Sequence, residues 1–307
     1  MSSLICGSLA FDMIANHEAR FADSILPEQL HILNVSFFTP QLRYENGGCA
    51  GNIAYTLKAI GGQPKILATM GSDGKDYLKH LASLGIDTSY IKILEDRLTA
   101  QCFIITDSDN NQINAFHPGA MNEAHTIKVP GKDTDNDIAI GIISPDGRQA
   151  MIDHAQQMKA AGIPFIFDPG QGLPMFNGDD LKNFINIATW VASNDYEAQL
   201  LCDRTGFTPE EISRQIPGAF FITHGGKGSE VWEQGHCTKI APIHVQHIVD
   251  PTGCGDAYRA GLLYGLERGW TPVKCAQFGS HLGAIKIASR GPQNHTIPQE
   301  LLTQFTA

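Results

Sequence analysis

The chain has no run of basic residues to set against its acidic balance. Lys and Arg number 22 and Asp and Glu 32, a net charge of −10 over 307 residues. That excludes nucleic acid as a main partner, because phosphate-backbone binding needs clustered cations. It leaves room for a phosphate ligand, which needs local donors rather than net charge. No window approaches the ~20 apolar residues of a membrane span, and residues 1–14 carry neither a basic leader nor a long apolar run. A cytoplasmic protein with no membrane partner is expected. Seven cysteines, an odd number, stand at 6, 49, 102, 202, 237, 254 and 275 without a Cys-x-x-Cys. That argues against a disulfide framework or structural zinc and for a reducing compartment. The twelve histidines form no ligand cluster; His244 and His247 stand three apart on a stretch that reads as a strand, hence on opposite faces. There is no internal repeat, low-complexity tract or linker, and no Gly-x-x-x-x-Gly-Lys-Ser/Thr phosphate loop.

What is present is an ordinary globular composition, 42% apolar and 18% charged, in a chain long enough to bury roughly 75% of its unfolded surface. Residues 4–10 read as an apolar strand ending in small residues, with Ser8 near its end and Asp12 beyond it. Short strands or turns at 36–38 and 42–44 precede a helix over 50–60, where Ile53, Leu57 and Ile60 recur at helical spacing. A strand at 66–70 and a helix at 77–84 follow. Residues 101–106 and 112–116 flank an Asp/Asn/Ser turn and read as a hairpin. After it, apolar strands alternate with helices up to about residue 223, the pattern of a parallel sheet covered on both faces. Ligands bind beyond the carboxyl ends of such strands, so Ser8, Asp168, Asn194 and Thr223 are expected on one rim. The reading is one α/β domain over residues 1–307, with a β-rich excursion at about 12–48 and 98–120 that serves as a lid or a dimer surface.

Four strings carry chemistry. In Asp250-Pro251-Thr252-Gly253-Cys254-Gly255-Asp256, a glycine-bearing turn opens a helix at 257–268. The unpaired N–H groups at such a helix start bind anions, and Asp256 at its lip is placed to take a proton from a hydroxyl. The other reading is a helix start capped by an aspartate. Thr223-His224-Gly225-Gly226-Lys227-Gly228 follows a strand and suits a loop wrapped round a phosphate or adenine, with Lys227 meeting phosphate charge; a plain β-turn also accounts for it. Asn194-Asp195-Tyr196-Glu197 offers oxygen ligands for a hydrated Mg²⁺, or an N-cap with its reciprocal Glu. Asn46-Gly47-Gly48-Cys49-Ala50-Gly51-Asn52 gives close backbone approach at Gly48 and a donor and acceptor at Asn52, or simply a tight helix–sheet contact.

Taken in this order, Gly-Gly-x-Ala-x-Asn, Asn-x-x-Glu, Thr-x-Gly-x-x-Gly and Asp-x-Thr-Gly-x-Gly-Asp resemble the ribokinase or phosphofructokinase-B (pfkB) family of sugar and nucleoside kinases, over roughly residues 4–292. Residues 33–37, Gly119-Ala120-Met121 after Phe116, and Asp256-Ala257-Tyr258-Arg259-Ala260-Gly261 look most like the bacterial adenosine kinases. The resemblance implies a ribokinase-like three-layer fold with a small β-rich lid, and phosphorylation of a ribonucleoside 5′-hydroxyl, adenosine first, by ATP with Mg²⁺. It makes Asp256 the base and the N–H groups of Gly253, Cys254 and Gly255 the anion hole. Asn194 and Glu197 correspond to the Mg²⁺ and phosphate motif, and Thr223, Gly225 and Gly228 to the nucleotide loop. Ser8, Asp12, Gly48 and Asn52 correspond to ribose contacts, and Ser36 and Phe116 fall where the base is held. A monovalent cation, K⁺, is implied near Asp250, Thr252, Ser289 and neighbouring carbonyls.

One position departs from the family pattern. Cys102 stands where an aromatic is expected, and its neighbour Phe103 replaces that aromatic only if the strand register slips. A sugar kinase for ribose or fructose is the second reading, against which Phe37, Phe103 and Phe116 tell. A catalytically silent nucleotide-binding protein is the third, against which Asp256 and its preceding glycines tell.

Overall fold

The computed structural model describes residues 1–25, 31–32, 34–109, 111–131 and 133–306. Leu33 and Asn110, which belong to two of the strings read above, lie outside the described residues. Along the chain come β1 (Ser2–Cys6), β2 (Ala10–Asn16), β3 (Gln41–Gly47), α1 (Cys49–Ala59), β4 (Pro64–Gly71), α2 (Lys75–Ser83), β5 (Ile91–Leu94), β6 (Ala100–Thr106) and β7 (Gln112–His117). Then follow β8 (Ile138–Ile143), α3 (Arg148–Ala160), β9 (Phe165–Phe167), α4 (Gly178–Ile187), β10 (Trp190–Asn194), α5 (Asp195–Thr205), α6 (Pro209–Gln215) and β11 (Ala219–Thr223). The chain closes with β12 (Ser229–Glu233), β13 (His236–Ile240), α7 (Cys254–Glu267), α8 (Pro272–Ile287) and α9 (Gln299–Thr306).

Nine strands form one sheet in the order β13-β12-β11-β10-β9-β8-β1-β4-β5. The pairings from β11 through β5 are parallel, and β12 and β13 add an antiparallel edge. Its strands are apolar on both faces because both are covered. Ile5, Ile66 and Phe221 pack with α1, α2, α7, α8 and α9 on one side. Leu4, Cys6, Phe220 and Ile222 pack with α3, α4, α5 and α6 on the other. The result is a three-layer α/β fold. Helices α4, α5 and α6 each open with a side-chain capping box, Asn177 with Asp180, Asn194 with Glu197 and Thr208 with Glu211.

A second, four-stranded sheet in the order β3-β2-β6-β7 is built from the excursion at 12–48 and 98–120. The expected hairpin is present as the antiparallel β6–β7 pair. Three elements differ from expectation. Residues 36–38 form neither a strand nor a turn. Residues 4–10 are not one strand: β1 stops at Cys6, and the chain re-enters as β2 in the small sheet. At the break, a Cβ on Gly7 would lie 2.0 Å from Ser144 Oγ, so only glycine passes there. The consequence is that Asp12 belongs to the small sheet while Ser8 lies at the joint between the two. Residues 242–249 form no strand, and His244 and His247 line an open hollow of about 500 Å³ with His281, Ala284 and Ser289 of the α8 region.

Candidate active site

The turn before α7 is held by Asp250. Its carboxylate accepts from the N–H of Thr252 at 3.0 Å and from that of Gly291 at 2.9 Å. Gly253 caps α7 at φ +80, a left-handed conformation that glycine adopts without strain. The Cys254 N–H turns back to the Pro251 carbonyl at 3.2 Å. Cys254 therefore drops out of the expected anion hole. Among the described residues no hydrogen bond uses the N–H of Gly253, Gly255 or Asp256, and these three present the donors of the helix start.

Asp256 lies in the first turn of α7, partly buried, and its Oδ2 accepts from Asn52 Nδ2 at 2.8 Å. Its pKa is pushed up to about 7, chiefly by desolvation; Asp168 and Asp12 add to the rise, while the Asn52 bond and the Arg259 guanidinium oppose it. Asn52 is itself oriented: its Oδ1 accepts from Gln293 Nε2 at 3.0 Å, which leaves only the NH₂ to face Asp256. Gln293, 6% exposed, also donates to Tyr77 Oη at 2.6 Å, and Tyr77 donates to the Gly47 carbonyl at 2.9 Å. Asn52 was expected as a ribose contact; in the structure its NH₂ is hydrogen-bonded to Asp256.

Asp12, on β2, is flanked by Glu45 of β3 and Cys102 of β6, and Cys102 pairs with Phe116 of β7. Asp12, Cys102 and Phe116 thus form a row on one face of the small sheet. The β2–β6 register runs unbroken from Ala10 to Asn16, so Phe103 points to the opposite face and does not replace the missing aromatic. Phe103 is corrected out of the candidate site. Ser36 is exposed in an irregular stretch and makes no hydrogen bond among the described residues. Asp12 is raised to about 6, by desolvation first and then by Glu45 and Asp250. Ser8 Oγ accepts from the Cys49 N–H at 3.2 Å, at the start of α1. Gly48 has φ +85, and a Cβ there would meet the Ser8 carbonyl at 2.5 Å, so the tight backbone crossing explains this glycine without a ligand.

On the same rim, Asn194 and Thr223 are register partners at the ends of β10 and β11. Asn194 Oδ1 accepts from the Glu197 N–H at 2.7 Å, and Glu197 Oε2 accepts from the Asn194 N–H at 2.9 Å. The capping box is therefore made. The Asn194 Oδ1 is engaged in that cap, and its NH₂ is free, a donor that suits a phosphate oxygen. Glu197 is held above the usual carboxylate range by desolvation, opposed by Arg259 and supported by Asp168. Gly225, at φ +54, and Gly226 have open space where a Cβ would stand, and Lys227 is exposed. Gly228, at φ +97, packs against the backbone of 240–242, the residues that precede the hollow's first lining residue, Ile243.

A profile of the pfkB family of carbohydrate kinases matches residues 17–300. The chain belongs to that family. It is a phosphotransferase acting on a hydroxyl group, on a ribokinase-like fold. The nucleoside kinase of Burkholderia thailandensis in complex with inosine is 43% identical, with a TM-score of 0.88 over 99% of this chain and 97% of its own. In complex with ADP-inosine the same enzyme gives 44% and 0.85 over 99% and 94%. The nucleoside kinase of Methanocaldococcus jannaschii is 29% identical over 299 residues, 96% of this chain and 93% of its own. The ribokinase of Haemophilus influenzae is 25% identical over 302 residues, 90% of this chain and 94% of its own.

Three residues of this pfkB kinase escaped the sequence reading. Arg259 forks onto Asp168 with two 3.0 Å bonds and lies 3.9 Å from Glu197. Lys286 is fully buried behind the Asp250 turn. Gln293 orients Asn52. The string Asp-Ala-Tyr-Arg offered a signal for Arg259, one helical turn beyond Asp256; Lys286 and Gln293 offered none. Among the described residues no helix is long and apolar enough to cross a membrane.

Proposed function

We propose that the chain transfers the γ-phosphoryl group of ATP to the 5′-hydroxyl of a purine ribonucleoside, with adenosine as the preferred acceptor. The observation that carries this reading is the row of Asp12, Cys102 and Phe116 on the small sheet, facing the side where Asn52 grips Asp256. A carboxylate accepts from two vicinal ribose hydroxyls, and an aromatic face stacks a base for about 1–3 kcal/mol. The nucleoside-bound B. thailandensis relative supports it.

In the reaction, Asp256 accepts the proton of the 5′-hydroxyl as its oxygen attacks the γ-phosphorus and the bond to the β-phosphate oxygen breaks, releasing ADP. The free N–H groups of Gly253, Gly255 and Asp256 stabilise charge that builds on the transferring oxygens. The hollow beside α8 takes the adenine of ATP, the 225–228 loop with Lys227 follows its phosphates, and the free NH₂ of Asn194 donates to them. Mg²⁺ binds through few carboxylates, phosphates and retained waters. Glu197 fits that demand through water, because its Oε1 has no hydrogen bond among the described residues. When bound, Mg²⁺ neutralises phosphate charge.

The test is a coupled kinase assay over adenosine, inosine, guanosine, cytidine, ribose and fructose. Activity on ribose with none on any nucleoside overturns the reading, and inosine outrunning adenosine overturns the preference. Asp12→Ala is expected to raise the KM of the nucleoside at least tenfold and to leave that of ATP within about twofold, since loss of a hydrogen bond to a charged group costs ~1.5–3 kcal/mol. Equal effects on both substrates would remove Asp12 from the ribose site.

The small sheet acts in this proposal as a lid that keeps water from competing as acceptor. Its outer face exposes Leu42 at 68%, Tyr44 at 57%, Phe103 at 41% and Ile113 at 39%. Such a contiguous apolar face marks an interaction surface, and we assign it to a second copy of the chain. Sedimentation should show a dimer at micromolar concentration that Tyr44→Glu dissociates; a wild-type monomer rules this out.

A further inference from the structure

The carbonyls that the family resemblance offers to K⁺ already face a cation from within the chain. Lys286 lies in the last turn of α8, with none of its surface exposed. Its Nζ donates to the Asp250 carbonyl at 2.8 Å and to the Ser289 carbonyl at 3.1 Å. Both partners are main-chain oxygens with no proton to give. An ammonium, with three donors and no acceptor, satisfies that surround; a neutral amine would bury an unpaired lone pair. Burial pulls the Lys286 pKa below the ordinary lysine value, while Cys254, Asp250, Asp256 and Glu45 oppose that pull. The C-terminal end of α8 favours the charged form as well.

The frame around the ammonium is tied down on every side. The N–H groups of Val249 and Asp250 both donate to the Ile287 carbonyl, at 2.9 and 3.1 Å. The Ser289 N–H donates to the Lys286 carbonyl at 2.9 Å, and the Gly291 N–H donates to the Asp250 carboxylate at 2.9 Å. Thr252 spends its N–H on the same carboxylate. The Asp250, Thr252 and Ser289 set therefore does not fit a free monovalent ion in this chain. Ammonium and K⁺ are of similar size and both seek oxygen acceptors, so one position serves either.

We propose that Lys286 is a tethered replacement for the monovalent cation. Its ammonium holds the 250–253 turn in the form that presents the anion hole and adds a fixed positive charge behind it, and it makes phosphoryl transfer independent of K⁺. The proposal rests on the kinase reading above but stands or falls separately from it.

The experiment measures nucleoside phosphorylation at constant ionic strength in tetramethylammonium, sodium, potassium or ammonium chloride. The wild-type rate is expected to stay within twofold across all four salts. Lys286→Met is expected to lose at least tenfold in kcat in every salt, because its thioether fills the space without charge. Lys286→Ala vacates the position, so K⁺ or NH₄⁺, but not tetramethylammonium, should restore part of its rate. The same two cations should raise its melting temperature and leave that of the wild type unmoved. Saturable activation of the wild type by K⁺ overturns the proposal. So does full activity of Lys286→Met, or a folded Lys286→Ala whose rate and melting temperature respond to no cation. Absence of nucleoside phosphorylation in every salt would instead overturn the proposed function.

Discussion

Asp256→Asn is expected to fold, to bind ATP with near wild-type affinity, and to lose turnover by at least ~10²-fold, the low end of what a positioned general base contributes. The amide is nearly isosteric with the carboxylate and cannot accept the hydroxyl proton. It also removes a charge from a site where Asp168 and Asp12 raise the pKa of Asp256, so the fold has no reason to suffer. Single-turnover assays and ATP titration separate the two effects, and near-normal turnover takes Asp256 out of the mechanism. The wild type carries a matching pH signature. With the Asp256 pKa at about 7, the ionised and competent form falls tenfold per pH unit below that value and saturates above it. The kcat/KM profile for the nucleoside should therefore rise with a slope of about two below pH 6, where Asp12 is protonated as well, with about unit slope from pH 6 to 7, and then flatten. A profile flat from pH 5 to 9 contradicts the assignment.

Arg259→Met is expected to cost about 3–5 kcal/mol of stability, the range for removing one partner of a buried ion pair. Arg259 and Asp168 have side chains only 6% and 5% exposed and share a two-bond fork, and Glu197 stands 3.9 Å away at 13% exposure. Without the guanidinium, two carboxylates remain in a space with little water. Loss of that charge also takes away one of the two influences that lower the Asp256 pKa, so the acid limb of the rate profile should move to higher pH. Arg259→Lys keeps the charge but not the fork: its limb should stay near the wild-type position while its unfolding midpoint drops. Urea unfolding and the rate profile read the two effects separately. A loss below 1 kcal/mol in Arg259→Met would mean that the pair contributes little to the fold.

Much of this molecule was legible because its motifs are local. A turn that opens a helix is encoded by the residues of that turn, and the Asp250–Asp256 string names its glycines and its carboxylate in seven consecutive positions. The β6–β7 hairpin was visible from its turn chemistry, and the alternation of apolar strands with helices foretold the covered parallel sheet. The failures share one cause, contact between distant segments. β1 stops at Cys6 and the chain passes Ser144 at Gly7 with no room for a Cβ, so the first strand was read as too long. Whether Phe103 could stand in for an aromatic at 102 waited on the β2–β6 register. Cys254 looked like its glycine neighbours until its N–H was found turned to Pro251.

The reaction class and the proposed base, Asp256, came from the chain's own order of residues, since a short turn followed by a helix fixes its own donors and charge. The environment of that base came only from the tertiary structure. Asn52 reaches Asp256 across 204 residues, Gln293 reaches Asn52 across 241, Arg259 meets Asp168 across 91, and Lys286 meets the Asp250 carbonyl across 36. Burial and charge pairing depend on which segments the sheet and helices bring together. A lysine that reads as one more polar position on α8 becomes, once packed, a buried donor to the Asp250 and Ser289 carbonyls.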